Sequence, residues 1–264
     1  MNSAACHQPT LATGTTNTSL VSQNRPQTSP SRLVTDFSIV RDDYHLRIVP
    51  KEGPLRQDVD RLIQRMYAWR GLHTDQSIAP DFHREQTTIA ACKGDHVFGT
   101  LTVAVDVGHG LLADTLYRPQ IDSARAKGAQ VCEVTRLAMD PELGTPQALA
   151  SLFHIGVIVA RSVHGMSDCF VEVNPRHAPY YRRMMGYRLA GPNLTCPRVG
   201  APAVLLQLSL AHAEQEAWRY GGTNSMKRHG LYGLFFSPAE HHEILHHIRA
   251  GSVERRASPR PAFN

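Results

Sequence analysis

Apolar positions along the chain switch repeatedly between a period of two and a helical period. Residues 44–49 (Tyr-His-Leu-Arg-Ile-Val) alternate, which predicts a strand. From Leu55 to Arg70 the apolar residues Leu55, Val59, Leu62, Ile63, Met66 and Tyr67 recur at helical spacing, with Pro54 in front and Gly71 behind. Residues 86–92 and 96–105 read as two strands around Lys93-Gly94-Asp95, a hairpin turn. In the second of these, Val97, Gly99, Leu101, Val103 and Val105 fall on one face. Residues 113–128 suit a surface helix or a long loop, and residues 131–139 a further strand. Thr145 as N-cap, Pro146 at the first helical position and Gly165 as terminator frame a helix from Pro146 to about His164. Its middle, Leu152 to Ala160, is apolar nearly all round, so it is expected to be buried on more than one side. A strand at 168–173, a short basic and aromatic helix at 177–185 ending at Gly186, and strands at Tyr187–Ala190 and Ala203–Leu210 follow. The segment Pro238–Ile248 reads as an amphipathic helix. This order predicts a mixed α/β domain: one sheet with helices packed against it.

Composition changes the picture at the two ends. Twenty of the first 32 residues are Thr, Ser, Asn, Gln or Pro and none is acidic, so this stretch cannot bury enough apolar surface to offset its ordering entropy. It has no apolar core of a secretory signal. Residues 250–264, where Arg255, Arg256 and Arg260 lie among Ser, Pro and Gly, are expected to behave alike. Both ends therefore read as disordered tails. No window of about 18 uninterrupted apolar residues occurs, which argues against a membrane-spanning helix. The five cysteines, Cys6, Cys92, Cys132, Cys169 and Cys196, form no C-x-x-C pair. That argues against a disulfide framework or a cysteine zinc site and fits a reducing, cytoplasmic setting. The charge balance, 28 Lys and Arg against 23 Asp and Glu, suits an acidic partner but is too small to indicate nucleic-acid binding.

The element order, with strand, glycine-containing loop and long helix in the middle, resembles the GNAT acyltransferase fold. The segment Asn174-Pro-Arg-His-Ala-Pro-Tyr-Tyr-Arg-Arg-Met-Met-Gly-Tyr187 resembles the late helix that GNAT domains close with Gly-Phe or Gly-Tyr. Glu133-Val-Thr-Arg136-Leu-Ala-Met resembles a signature of acyl-homoserine lactone synthases and their relatives, the FeeM-type N-acyl amino acid synthases. The block from Asn174 to Tyr187 favours the FeeM-type branch. The resemblance covers roughly residues 44–210 and implies a single mixed, mostly antiparallel central sheet flanked by helices. It divides the chain into a tail at 1–40, an acyltransferase domain at 41–212, a C-terminal helical extension at 213–249 and a basic tail at 250–264. It also implies transfer of a long-chain acyl group to the amine of an amino acid, with no permanently bound cofactor.

The donor side departs from coenzyme A enzymes of this fold. Anchored on Gly144, the loop before the long helix carries Pro141 and Pro146 where the family's phosphate loop begins and ends. Proline has no N–H, so a donor to a pyrophosphate is missing. The 4′-phosphopantetheine arm of an acyl carrier protein has one phosphodiester and suits this loop better than acyl-CoA. The backbone N–H groups of Leu143, Gly144 and Thr145 are the expected phosphate donors, the alternative being an ordinary N-cap turn. Carrier proteins are typically acidic, so Arg176, Arg182, Arg183 and Arg188 either steer the carrier or form a solvated face. Asn174 caps the turn before the late helix or contacts the pantetheine amide. Leu152, Phe153 and Val157 would wall an acyl tunnel.

Glu133 is the first choice for orienting or deprotonating the acceptor amine, the alternative being a structural ion pair with Arg136. Arg136 cannot serve as a base, but its fork matches an acceptor carboxylate as well as a core ion pair. Three residues apart, the two would point to opposite faces of a regular strand. A shared site therefore requires a β-bulge within 132–138. Tyr181 would protonate the leaving thiolate or merely pack, and adjacent Tyr180 leaves the register open. The stretch His242-Glu243-Ile-Leu-His246 matches the H-E-x-x-H zinc pattern. Arg249 stands where the extended form of that motif needs glycine, and no histidine follows, so no metal site is assigned. A lactone synthase using S-adenosylmethionine, an acetyl-CoA transferase and a non-catalytic acyl- or carrier-binding module are the competing readings.

Overall fold

The computed structural model describes residues 37–72 and 85–254. Its elements are β1 (Ser38–Arg41), β2 (Tyr44–Ile48), α1 (Pro54–Trp69), β3 (Glu85–Lys93), β4 (His96–Val105), α2 (Asp114–Ala126) and β5 (Val131–Met139). Then come α3 (Pro146–Val157), β6 (Asp168–Val173), α4 (Ala178–Met185), β7 (Arg188–Leu189), β8 (Leu194–Cys196) and β9 (Ala201–Ser209). Three α-helices follow in the described residues: α5 (Leu210–Tyr220), α6 (Met226–His229) and α7 (Pro238–Glu254). The strands form one sheet in the order β1-β2-β3-β4-β5-β6-β9-β7, with β8 also on β9. Its neighbours are antiparallel except β5 and β6.

The apolar periodicity sets the layers. Val59, Leu62, Ile63 and Met66 of α1 recur at helical spacing and pack with Ala90, Cys92, Val97 and Ala138 on one face. Ile63 is fully buried, and burial of such a side chain contributes about 1.5–3 kcal/mol. On the same face Tyr117 and Ile121 of α2 pack on Val131 and Phe170. The opposite face carries α3, with Leu101, Val103 and Val134 beneath Leu152, Phe153 and Ile155. Leu231, Phe235, Phe236 and Ile248 of the C-terminal segment belong to this second core. Because α3 lies between sheet and extension, its apolar residues surround it, as its sequence requires. Thr145 caps it by accepting from the Ala148 N–H at 3.1 Å. It then loosens into a π-helical stretch, Ile158–Val163, before Gly165 turns the chain at φ +70°. Pro146–Val163 has a mean hydropathy of 1.3, enough by length and composition to cross a membrane, yet 67% of it is buried in the protein. The packing makes it a core helix.

Several boundaries move. Ser38–Arg41 is an edge strand that begins inside the stretch expected to be tail and crosses its end at residue 40. Residues 1–36 of that tail lie outside the described residues. Helix α7 continues to Glu254, past the start expected for the basic tail, and residues 255–264 lie outside the described residues. The ambiguous stretch 113–128 is a helix, bent at Tyr117 ahead of Pro119. The last long strand stops at Ser209, and the extension begins with α5 at Leu210.

Candidate active site

The site begins with an irregularity in β5. Thr100 pairs with Ala138, but Thr102 pairs with Thr135, so Arg136 and Leu137 together oppose Leu101. That is the β-bulge required by the Glu133–Arg136 spacing. Arg136 takes a left-handed backbone, φ +51°, where a side chain costs about 1–2 kcal/mol. The consequence is geometric. Gln86 pairs with Ala104, and Ala104 pairs with Glu133, so these three side chains share one face. The Arg136 guanidinium donates to Gln86 Oε1 at 3.0 Å. It therefore lies on the face of Glu133, which a regular strand would forbid.

The bulge coincides with a parting of strands. The parallel β5–β6 ladder runs from Val131–Asp168 to Val134–Val171 and ends there. Beyond it β5 follows β4 to Met139, while β6 follows β9 to Val173. A cavity of about 440 Å³ fills the wedge, within the size range of small-molecule sites. Residues 133–137 and Met139 of β5 line it, with residues 171–173 of β6 and Asn174. Tyr67, Leu112, Leu149, Tyr181 and Arg198 are also in its wall.

Glu133 is only 3% exposed. Its oxygens accept from the backbone N–H groups of Leu112 (2.6 Å) and Ala113 (3.0 Å), which offset the desolvation of a buried carboxylate. Across the wedge Glu172 receives Arg198 Nη2 on both oxygens, each at 2.9 Å.

The donor side is arranged differently from expectation. The Gly144 N–H donates to the Asp140 carbonyl at 2.8 Å, so it closes a turn instead of facing a phosphate. A Cβ at Gly144 would lie 2.6 Å from that carbonyl oxygen, which explains the glycine. Leu143, Gly144 and Thr145 stand outside the cavity lining, between Met139 and Leu149, which both belong to it. Asn174 does cap: its Oδ1 accepts from the Arg176 N–H at 3.2 Å, and the residue also lines the cavity. Arg176 and Arg70 line the mouth, while Arg182 and Arg183 are exposed on α4, outside the lining. Tyr181 is a wall residue held edge-on by Phe153 (6.2 Å), Tyr180 (6.1 Å) and Tyr187 (5.8 Å) between ring centres. Burial, then the neighbouring tyrosines, push its phenol well above the usual range. It is therefore an O–H donor at neutral pH. Tyr180 also lines the cavity but is 40% exposed, at the rim. Among the described residues, Phe153 and Val157 border a void of about 10 Å³, and Leu152 borders neither that void nor the cavity.

A family model described as the N-acyl amino acid synthase FeeM matches residues 58–209. The chain belongs to the FeeM family. Among solved structures, FeeM, an N-acyl amino acid synthase from uncultured soil microbes, is 25% identical. That likeness covers 65% of this chain and 94% of the other, with a TM-score of 0.58. The acyl-homoserine lactone synthase LasI is 14% identical over 63% of this chain and 90% of its own, with a TM-score of 0.45. An acyl-CoA N-acyltransferase from Pseudomonas aeruginosa is 9% identical over 63% of this chain and 99% of its own, with a TM-score of 0.44. No curated protein matches the chain. The GNAT-like fold and an acyltransferase of the FeeM family are thus as the sequence implied.

Within this FeeM-family site, sequence reasoning missed Glu172, Arg198, Tyr67 and Arg70. Glu172 sits at an alternating position of a strand that reads as solvated. Arg198 lies in a Pro- and Gly-containing turn 26 residues away. The H-E-x-x-H segment does lie on a helix, α7, but His242 turns outward and contacts the Pro238 carbonyl at 3.2 Å. Among the described residues no three His, Cys, Asp or Glu side chains come together to hold a metal. The buried histidine of α7 is His241, outside the motif. Its Nδ1 lies 3.0 Å from Nε2 of the fully buried His154.

Proposed function

We propose that this FeeM-family synthase moves a long-chain acyl group from the 4′-phosphopantetheine thioester of an acyl carrier protein to the α-amine of an amino acid. The observation that carries this reading is the placement of Glu133 and Arg136 on one face of a cavity between parting strands. Arg136 would hold the acceptor carboxylate by its fork. Glu133, directly or through a water, would take the ammonium proton, leaving a free amine to attack the thioester carbon. The C–N bond forms as the C–S bond breaks; the thiolate leaves with a hydrogen bond from the Tyr181 O–H and is neutralised by the second proton, which the nitrogen sheds as it becomes an amide. A phenol whose proton is held this tightly supports the thiolate by hydrogen bonding more readily than by complete proton transfer. Leu137, Met139, Leu149 and Val173 supply an apolar flank for the first part of the acyl chain.

Two features favour a carrier protein over coenzyme A. The turn before α3 combines two prolines with a Gly144 N–H already bonded to Asp140, which suits one phosphate better than a pyrophosphate. Arg70 and Arg176 at the mouth, with Arg182 and Arg183 on the adjoining helix, complement an acidic carrier. A cytoplasmic setting belongs to the same reading, since Cys92, Cys132, Cys169 and Cys196 are buried free thiols.

The test is turnover by the purified chain with acyl-carrier-protein and acyl-CoA donors of matched chain length and a mixture of amino acids. Product is read by mass spectrometry. N-acyl amino acid from the carrier donor is expected, and Glu133→Gln should lower its rate roughly 10²–10⁴-fold. Preference for acyl-CoA would overturn the donor, and no N-acyl product from either would overturn the reaction.

A further inference from the structure

We infer that Arg198 is a positioning residue that fixes the carboxylate of Glu133 through a single peptide unit. This rests on the role given to Glu133 above. The guanidinium of Arg198 sits in the turn between β8 and β9, its side chain 18% exposed and that of its partner Glu172 14% exposed. One arm is anchored: Nη2 donates to both Glu172 oxygens at 2.9 Å. The other arm reaches the segment before α2, where Nη1 donates to the Leu112 carbonyl at 3.3 Å and to Thr115 Oγ1. The Thr115 hydroxyl passes the contact on, donating to the same Leu112 carbonyl at 2.8 Å.

The Leu112 carbonyl and the Ala113 N–H belong to one planar trans peptide, so they point in opposite directions. Arg198 and Thr115 hold its oxygen, and its N–H donates to Glu133 Oε2 at 3.0 Å. The next N–H back, that of Leu112, donates to Glu133 Oε1 at 2.6 Å. Tilting the peptide 112–113 would therefore turn the carboxylate. Glu172 lies on β6 and Glu133 on β5, the two strands that part at the cavity. The chain Glu172–Arg198–peptide–Glu133 is a strut across the wedge, fixing the Glu133 oxygens relative to both walls. Lysine could keep the charge beside Glu172, but it lacks the planar fork that serves both ends.

The experiment is a double-mutant cycle on turnover with Arg198→Lys, Glu133→Gln and their combination. Misplacing a reacting group by about an ångström costs up to roughly a hundredfold. Arg198→Lys should lower kcat about tenfold or more in the parent, leave the donor KM within about twofold, and add nothing to Glu133→Gln. Thr115→Val, which keeps the Arg198–Glu172 pair and removes only the hydroxyl relay, should do the same more weakly. It serves as the test if Arg198→Lys does not fold. Equal losses in both backgrounds, or unchanged kcat for a folded variant, overturn the positioning role. If Glu133→Gln is itself as active as the parent, the role of Glu133 falls, and the inference with it. Uncoupled losses in an enzyme that does depend on Glu133 overturn the inference alone.

Discussion

The contact that holds α7 to α3 makes stability depend on pH in a calculable way. His154 Nδ1 accepts the Phe236 N–H at 3.0 Å, so its own proton must sit on Nε2. That proton is donated to Nδ1 of His241 at 3.0 Å. Both rings are therefore neutral, and a proton added to His241 Nδ1 would oppose the one on His154. His154 also stacks on Phe235 with ring centres 4.4 Å apart, and the Arg41 charge lies nearby. Burial, then His241 and Arg41, drive its pKa well below the ordinary 6.5. Burial and His242 lower that of His241, with Glu214 pulling the other way. A histidine depressed in the folded state binds fewer protons there than in the unfolded chain. Its stabilisation is thus complete above the unfolded value near 6.5 and declines as pH falls below it. The slope reaches at most about 1.4 kcal/mol per pH unit for each proton. His154→Asn keeps an acceptor for the Phe236 N–H but does not titrate. The lost ring should cost about 2–4 kcal/mol at pH 7.5. Urea unfolding at pH 7.5, 6.5 and 5.5 should show the gap between parent and variant narrowing by about 1 kcal/mol or more per unit below 6.5. Other shifted groups, such as His164, are common to both proteins and cancel. A gap constant from 7.5 to 5.5 would refute the tautomer argument.

Other expectations are more direct. Tyr181→Phe keeps the edge contacts with Phe153 and Tyr187, so the melting temperature should hold while kcat falls roughly tenfold or more from loss of one donor; an unchanged kcat in acyl transfer would assign Tyr181 to packing. Arg136→Gln should raise the acceptor KM about ten- to hundredfold, the worth of hydrogen bonds to a charged group, with little change in donor KM, read by varying each substrate in turn. Arg136→Gly should relieve about 1 kcal/mol of backbone strain, because glycine takes φ +51° without a Cβ clash, and lose a similar amount with the Gln86 hydrogen bond, so the melting temperature should change little while the acceptor KM rises as in the glutamine variant. Calorimetry and steady-state kinetics on the same sample separate the two effects.

Much of the scaffold was legible because local chemistry and global fold agree. Thr145 and Pro146 open α3, and Gly186, left-handed at φ +76°, closes α4, each for reasons visible within a few residues. The bulge was legible for a less direct reason: two charged side chains three apart could share a site only if the strand broke its alternation. What stayed hidden lacked side-chain identity or proximity. The donors to Glu133 are the backbone of Leu112 and Ala113, and a backbone N–H leaves no mark in a sequence. Glu172 and Arg198 meet only because β6 and β9 are neighbours in the sheet. Gly144 was read from its place in a phosphate loop, whereas its requirement is the close approach of the Asp140 carbonyl. Around the H-E-x-x-H stretch, burial depends on which face of α7 meets α3, and that selects His241, the residue just before it.

The bulge and the wedge are best understood as one device. A parallel pair continued past Val134 and Val171 would bond its inner edges together and leave no cavity. Ending the ladder there gives up several backbone hydrogen bonds, each worth about 0.5–1.5 kcal/mol net. Left-handed Arg136 adds strain of similar size. In return the inner edges of β5 and β6 turn polar backbone groups toward a 440 Å³ space lined by carboxylates, guanidinia and phenols. Such fixed donors need no reorganisation when charge develops on an acyl carbonyl oxygen. The outer edges keep both strands rigid: β5 stays on β4 to Met139 and β6 on β9 to Val173. Only one edge of each strand is opened, so the site gains polar groups without losing the sheet that positions them.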